Sequence, residues 1–314
     1  MLYEFYQHLP QMISPVAFTV GSLAVRWYSL MYLMGFGAVW GLLQWRINRG
    51  ETNGKFQISK KNTNQKNQKE EAEFKLQLKN TVLDFLLAGF VGGLLGGRLG
   101  YALFYQPSYF WVHPFQLFSP FNQVTGFFEG FYGMSYHGAL VGGLLGAWTF
   151  AKLKKLDFLS WADFVVPALP AGYFFGRVGN FLNGELVGRI TTSKFGMHFA
   201  SSPQILRYPS QLLEACLEGA LLFALLWKLR NQKKFSVGFL LTVYFAGYAM
   251  VRFFCEFFRQ PDPQLGLLFF GLTMGQILSL VLFCFSLLWL FSKNAKSAII
   301  NEQEYDLKKI RGKA

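Results

Sequence analysis

The chain has 314 residues, of which 52% are hydrophobic and only 15% charged, with 36 phenylalanines and a net charge of +13 at pH 7. That composition excludes a soluble globule and places the chain in the polytopic membrane class. Nucleic acid is excluded as the reason for the positive charge, because the Lys and Arg residues sit between the apolar runs and not on a basic face with base-reading groups.

Met1 to Pro10 has no basic region and no short apolar core with a cleavage site, so no removable signal is expected and the first span serves as its own insertion signal. Seven runs approach the roughly 20 apolar residues that a bilayer core requires. They are placed at about 19–47, 81–105, 135–153, 161–183, 210–229, 237–258 and 271–292. Between the first two, residues 48–80 are polar, low in complexity and too poor in apolar side chains to fold alone, and are read as a flexible cytoplasmic loop.

The second span carries overlapping small-x-x-x-small spacings, Gly89/Gly93 and Gly96/Gly100, which let two helix backbones approach closely in lipid. Arg98, Tyr101 and Tyr105 share one face of it and form a polar stripe toward the outer leaflet. Residues 106–134 hold no Lys or Arg but are rich in Pro, Trp and Phe, as expected for short interfacial helices at the headgroup level. His137 stands near the start of the third span, where a lone histidine is more often structural than catalytic.

The fourth span ends in Gly176-Arg177-Val178-Gly179-Asn180-Phe181-Leu182-Asn183-Gly184-Glu185-Leu186-Val187-Gly188. An arginine at that depth costs roughly 2.5–3.5 kcal/mol on insertion scales, so it faces a cavity, a partner or a substrate. Residues 185–208 form a mixed outer loop. In the fifth span Gln211, Glu214 and Glu218 share a face, and in the sixth Tyr248, Arg252, Glu256 and Arg259 make a single stripe that Gln260-Pro261-Asp262-Pro263 ends. Residues 293–314 are a cytoplasmic tail. The cysteines, Cys216, Cys255 and Cys284, each stand in apolar sequence without a Cys-x-x-Cys pair or metal spacing and are read as small core residues.

Positive residues are retained on the cytoplasmic side. Alternate connections hold 21 Lys and Arg residues on one side and 4 on the other, so the amino terminus is expected outside and the carboxyl terminus inside. Five arginines remain in or at the ends of spans: Arg26, Arg46, Arg98, Arg177 and Arg252, of which Arg46 snorkels at the inner end of its helix. With Arg259, and with Glu185, Glu214, Glu218 and Glu256 as partners, they suit an anionic phosphate at the headgroup level, since a guanidinium donates two parallel hydrogen bonds to phosphate oxygens and stays charged. Ion pairs such as Arg252 with Glu256 or Arg177 with Glu185 that merely join helices explain some of these residues. They explain the whole set less well, because buried pairs are weak stabilisers.

The 176–188 stretch resembles the signature of the bacterial phosphatidylglycerol:prolipoprotein diacylglyceryl transferase family. Similar matches run through nearly the whole chain: Arg26 to Tyr32, Gly96 to Tyr101, Ser135 to Leu140, Pro209 to Glu214, Arg252 to Asp262, and Met274-Gly275-Gln276. The resemblance implies an all-α enzyme of the bacterial inner membrane, a single transferase domain over residues 1–314, that moves the sn-1,2-diacylglyceryl group of phosphatidylglycerol to the lipobox cysteine thiol of a preprolipoprotein. A thioether forms and glycerol phosphate leaves, with no metal and no organic cofactor.

Carried over by position, Arg177 and Arg252 hold the phosphate, Asn180 and Glu185 orient the headgroup or the arginine, and Tyr28 and Tyr248 line the site. Gly188, Arg98, Glu256 and Arg259 belong to the phosphatidylglycerol site, and His137 is the base for the incoming thiol. Arg26 and Tyr208 stand where the family pattern has histidine, and Ala139 where it has glycine. A mechanism in which arginines lower the thiol pKa stays open beside the histidine base. The competing class is a transporter or channel for an anionic solute or lipid, which also needs buried arginines, but the sequence holds no convincing internal repeat. A non-catalytic lipid-binding scaffold would be marked by loss of Arg177, Asn180, Glu185 and Arg252, and all four are present.

Overall fold

The computed structural model describes residues 2–21, 23–51, 68–119, 133–231, 236–261 and 266–311, of which 2, 23, 68, 136, 137 and 293–311 are described by backbone alone. It is mostly helical. In chain order the elements are α1 (Leu2–Met12), β1 (Val16–Val20), β2 (Leu23–Arg26), α2 (Trp27–Asn48), α3 (Gln68–Phe104), α4 (Pro107–Val112), α5 (Tyr136–Leu153), α6 (Phe158–Val165) and α7 (Leu169–Leu182). There follow β3 (Met197–Phe199), β4 (Ser202–Arg207), α8 (Ser210–Glu214), a π-helical segment Ala215–Leu221, α9 (Leu222–Leu229), α10 (Phe239–Cys255) and α11 (Met274–Arg311).

Each expected span holds a helix. Among the described residues, three stretches are long and apolar enough to cross a membrane: Lys69–Phe104, Phe158–Leu182 and Met274–Ser292. Shorter apolar helices run over Gly138–Leu153 and Phe239–Cys255.

Several boundaries differ from the sequence reading. The helix of the first expected span, α2, starts at Trp27 and not at 19, because Val16–Val20 and Leu23–Arg26 pair as an antiparallel hairpin with Val20 opposite Leu23. Gly21, at φ +60°, supplies the left-handed residue of the tight turn, and the β-branched Val16, Thr19, Val20 and Val25 suit a pleated ribbon. Helix α3 begins at Gln68, inside the stretch read as loop, where Glu70 and Glu71 occupy its first turn and Glu71 pairs with Lys75 at 3.0 Å. The rest of that stretch, 52–67, lies outside the described residues. Of the aromatic 106–134 segment, α4 and a 3-10 turn Pro114–Leu117 are short helices as expected, whereas 120–132 lie outside the described residues. Helix α11 continues through the expected tail to Arg311. Helix α10 stops at Cys255, ahead of the Pro-rich stretch, because the backbone of Phe258 and Arg259 turns to pair with residues 188 and 189. Asp262 and Pro263 lie outside the described residues.

The chain packs as two compact units, Met1–Arg46 with Ala162–Ala314, and Ile47–Trp161. In the second unit α3 lies against α5 along a stripe of glycines, Gly92, Gly96 and Gly100 facing Gly138, Gly142 and Gly146. A Cβ on Gly96 would collide with the Gly138 carbonyl oxygen and lie 2.7 Å from the Gly142 Cα, so the two backbones touch with nothing between them. Phe85 closes the far end of this contact against the rings of Phe150, Phe158 and Trp161.

In the first unit α2 crosses α7 where Gly35 meets Gly172 and where Tyr28 and Met31 meet Gly179. Val166, Leu222, Leu226 and Leu240 form one core, and Phe181, Met197 and Phe199 form another that Tyr6 and Ile13 cover. Asp163 caps α10, its carboxylate accepting from the backbone N–H groups of Gly238 (2.7 Å) and Leu241 (2.9 Å). Arg46 does not snorkel: it is buried, its guanidinium lies 4.3 Å from the Phe164 ring centroid, and it donates to the Phe164 carbonyl. That carbonyl stands just before the 3-10 turn Val166–Ala168 that interrupts the helix. Of the three cysteines only Cys255 is a core residue; Cys216 and Cys284 are exposed, each on the open side of its helix.

Candidate active site

The first unit gathers three arginines and three glutamates from five segments. Arg177 comes from α7, Glu214 and Glu218 from the end of α8 and the π segment, and Arg252, Glu256 and Arg259 from α10 and the turn after it. Glu214 is the hub. Its side chain is 0% exposed, one oxygen lies 2.8 Å from Arg177 Nε and 3.3 Å from Arg252 Nη1, and the other lies 3.4 Å from Arg259 Nη1.

Glu256 is the second hub, pairing with Arg252 one helical turn away and standing 3.8 Å from Arg259 Nε. Its other oxygen accepts from Thr273 Oγ1 at 2.7 Å, and Thr273 is in turn fixed by Gln276, whose side chain accepts from the Thr273 N–H at 3.0 Å. Gly275 carries no side chain where a Cβ would lie 2.6 Å from the Glu256 carboxylate, which lets the start of α11 close over it.

Each arginine keeps 11–13% of its side chain exposed while its carboxylates are buried. The glutamates balance the repulsion among the three guanidiniums. Arg252 Nη1 is buried and lies 3.3 Å and 3.7 Å from Glu214 and Glu218 without an aligned hydrogen bond, leaving donor capacity unspent. Arg177 Nη1 faces Asn180 Oδ1 at 3.3 Å.

The end of the signature supports this cluster through its backbone. Residues 188–190 run between two other stretches: Gly188 N–H donates to Tyr208 O (3.0 Å), and Arg189 N–H to Phe258 O (2.8 Å). A Cβ on Gly188 would collide with the Tyr208 carbonyl oxygen and lie 2.6 Å from that of Phe258, so only glycine fits there. Gly188 bridges Arg259 directly, and Arg189 Nε holds the Arg259 carbonyl at 3.0 Å, which fixes where the Arg259 guanidinium emerges.

Of the residues singled out in the sequence, Arg177, Asn180, Arg252, Glu256 and Arg259 come together here, with Gly188 beneath them. Arg177 pairs with Glu214 and not with Glu185, whose exposed side chain accepts from Asn183 while its carbonyl accepts from Gln211. The Tyr28 ring lies tilted against that of Tyr32, 4.6 Å between centroids, and its hydroxyl donates to the Tyr32 hydroxyl at 2.9 Å, with the Tyr28 backbone against Gly179. Tyr248 meets the Tyr173 ring edge-on at 5.9 Å. Tyr173 itself, one turn before Arg177, carried no signal in the sequence beyond that spacing.

Arg98 and His137 belong to the other compact unit. Arg98 donates to the backbone carbonyls of Gln116 (2.8 Å), Leu117 (3.1 Å) and Gly133 (3.3 Å) and lies over the Phe110 ring. His137 is the second residue of α5, which Ser135 caps by accepting from Gly138 N–H; its side chain lies outside the described residues. Arg26 is exposed at the end of β2.

The model for prolipoprotein diacylglyceryl transferase matches residues 15–292 of the chain. A phosphatidylglycerol-prolipoprotein diacylglyceryl transferase of Chlorobaculum tepidum is 41% identical over 277 residues, covering 87% of this chain and 88% of the relative. Relatives of the same name from Coxiella burnetii strain Dugway 5J108-111 and Legionella pneumophila strain Lens are each 41% identical, covering 91% and 85% of this chain and 97% and 92% of their own length. The match runs from the first hairpin to the last apolar helix and includes every arginine and glutamate of the cluster, and the chain therefore belongs to the prolipoprotein diacylglyceryl transferase family.

Proposed function

We propose that the chain transfers the sn-1,2-diacylglyceryl group of phosphatidylglycerol to the thiol of the lipobox cysteine of preprolipoproteins, the first step of lipoprotein maturation. The observation that carries this reading, in a member of this family, is the set of Arg177, Arg252 and Arg259 gathered by buried carboxylates, with 11–13% of each arginine side chain still exposed.

Arg177 and Arg252 hold the phosphate and meet the negative charge that develops as the carbon–oxygen bond to it breaks. Glycerol phosphate leaves with that electron pair while the thiol sulfur forms the new carbon–sulfur bond. Arg259 and Glu256 complete the phosphate pocket, Asn180 and Glu185 orient the headgroup, and Tyr28 and Tyr248 line the site. Gly188 holds the strand that presents Arg259, and Arg98 contributes to phosphatidylglycerol binding by bracing the segment it clamps. A free thiol with a pKa of about 8.5 is mostly protonated at neutral pH, so the proton goes to a base, the role assigned to His137.

The enzyme sits in the bacterial inner membrane as a multi-pass protein with seven spans, its amino terminus outside and its carboxyl terminus in the cytoplasm. The 21-to-4 asymmetry of Lys and Arg supports this orientation. Residues 1–314 act as one transferase domain, with the stretch between the first two spans on the cytoplasmic side. Phosphatidylglycerol and the signal peptide both reach the site from the membrane through a lateral gap between helices.

The test is transfer of a labelled diacylglyceryl group from phosphatidylglycerol to a lipobox-cysteine peptide by purified protein in detergent. Product is expected from the native chain and none from Arg177→Ala or Arg252→Ala. Well-folded native protein that binds phosphatidylglycerol and forms no product would overturn the reading.

A further inference from the structure

Tyr173 belongs to no motif, yet its hydroxyl occupies the node between two parts of the cluster. It accepts from Arg177 Nε at 2.8 Å and from Arg177 Nη2 at 2.6 Å, and it donates to Glu218 Oε2. Both nitrogens on one edge of the guanidinium are thereby spent, and the Arg177 carbon stands 4.8 Å from the Tyr173 ring centroid, so the group can neither slide nor rotate about its long axis. The remaining nitrogen, Nη1, donates one N–H to Asn180 Oδ1 at 3.3 Å and carries a second.

The fold builds this node deliberately. Glu218 lies in the π segment Ala215–Leu221, and the next residue, Gly219, lets the α7 backbone come so close that a Cβ there would lie 2.8 Å from the Phe174 Cα. That contact sets Tyr173, one residue before Phe174, at the Glu218 carboxylate. Glu218 Oε1 also stands 3.7 Å from Arg252 Nη1, so the Tyr173–Glu218 pair ties the two phosphate-binding arginines together by a route separate from Glu214. π-helical segments inside α-helices are rare and are frequently found at functional sites.

We propose that Tyr173 is a positioning residue that, held by Glu218, turns Arg177 so that its Nη1 edge meets an anionic phosphate oxygen of the lipid headgroup. This rests on the phosphate reading of the cluster. Without the hydroxyl, Arg177 keeps its charge and its pair with Glu214 but samples other orientations, and the phosphate finds a donor that must first be ordered.

The experiment measures binding of a short-chain phosphatidylglycerol to the full chain in detergent for the native protein, Tyr173→Phe, Arg177→Ala and the double variant, with the matching diacylglycerol as a headgroup-free control. Tyr173→Phe is expected to weaken phosphatidylglycerol binding about tenfold, as loss of one hydrogen bond to a charged group does, and to leave diacylglycerol binding unchanged. In the Arg177→Ala background the same substitution is expected to add less than about twofold, because its effect passes through Arg177.

If Arg177→Ala weakens binding and Tyr173→Phe does not, the positioning role falls while the phosphate site stands. If the two effects simply multiply in the double variant, Tyr173 acts independently of Arg177 and the role also falls. If Arg177→Ala leaves binding intact, the phosphate reading fails and takes this one with it. Should Tyr173→Phe not fold, Tyr173→Phe with Glu218→Gln removes the hydroxyl together with the charge of the carboxylate it leaves unpaired, and carries the same expectation.

Discussion

Glu214 touches three guanidiniums with two oxygens and has no exposed surface. Removing one partner of a buried ion pair leaves an uncompensated charge, at a cost of about 3–5 kcal/mol. Glu214→Ala and Glu214→Gln are therefore both expected to lower stability by about that amount in a denaturant titration in detergent, since each removes the negative charge. Small losses for both would mean that solvent already screens the cluster. His137 makes a different prediction. If it is the obligatory base, His137→Gln abolishes transfer while binding of phosphatidylglycerol persists, and activity near that of the native chain would show that the arginine field alone activates the thiol. The polar stripe Arg252, Glu256 and Arg259 was legible because its members lie within two turns of one helix and its extension. Arg177 with Glu214 was not, because the partners are 37 positions apart and no periodicity joins them. Glu185, nearer in sequence, was the more obvious partner and is the wrong one.

At the scale of elements, the glycine stripe between α3 and α5 sets a sharper limit than the hydropathy of either helix. Gly96→Ala drives a methyl group into the backbone of α5, which the rigid carbonyl of Gly138 cannot evade. Overpacking of that kind costs about 1–3 kcal/mol and more where backbone must move. Gly41, in α2, has nothing within 4 Å of its absent Cβ, and Gly41→Ala is expected to be neutral or to stabilise by up to about 1 kcal/mol, the helix-propensity difference. Thermal unfolding of the two variants side by side tests the contrast, and equal midpoints would mean that the helices are not in contact at Gly96. The same spacing of small residues pointed to close packing from sequence alone, since it lets backbones approach in lipid, although Gly37 and Gly41 in α2 share it with nothing within 4 Å of either absent Cβ. The β1–β2 hairpin was hidden by hydrophobicity: an apolar run shows no boundary between strand and helix, although Gly21 between β-branched residues was the available sign. The π segment left none, because an i, i+4 pair such as Glu214 and Glu218 satisfies α and π geometry alike.

Over the whole chain, positive charge is the one feature that orients the helices, and it acts through residues that are not in the helices at all. Helix α3 ends at Phe104, followed by Gln106 and a stretch without Lys or Arg; α5 ends at Leu153, followed by Lys154 and Lys155. If α3 and α5 span the membrane in opposite directions, with the basic end inside, Gln106 lies outside and Lys154 lies in the cytoplasm. A membrane-impermeant thiol reagent reads this directly in a background with Cys216, Cys255 and Cys284 replaced by serine. Gln106→Cys is expected to react in intact cells, and Lys154→Cys only after the membrane is opened. Reaction of Lys154→Cys in intact cells would invert the topology. The signal peptide of an exported lipoprotein presents its cysteine near the outer face, so an inverted arrangement would also place the Arg177–Arg252 cluster on the wrong side for its substrate. The labelling pattern therefore tests the transferase reading at the largest scale, independently of any assay of catalysis.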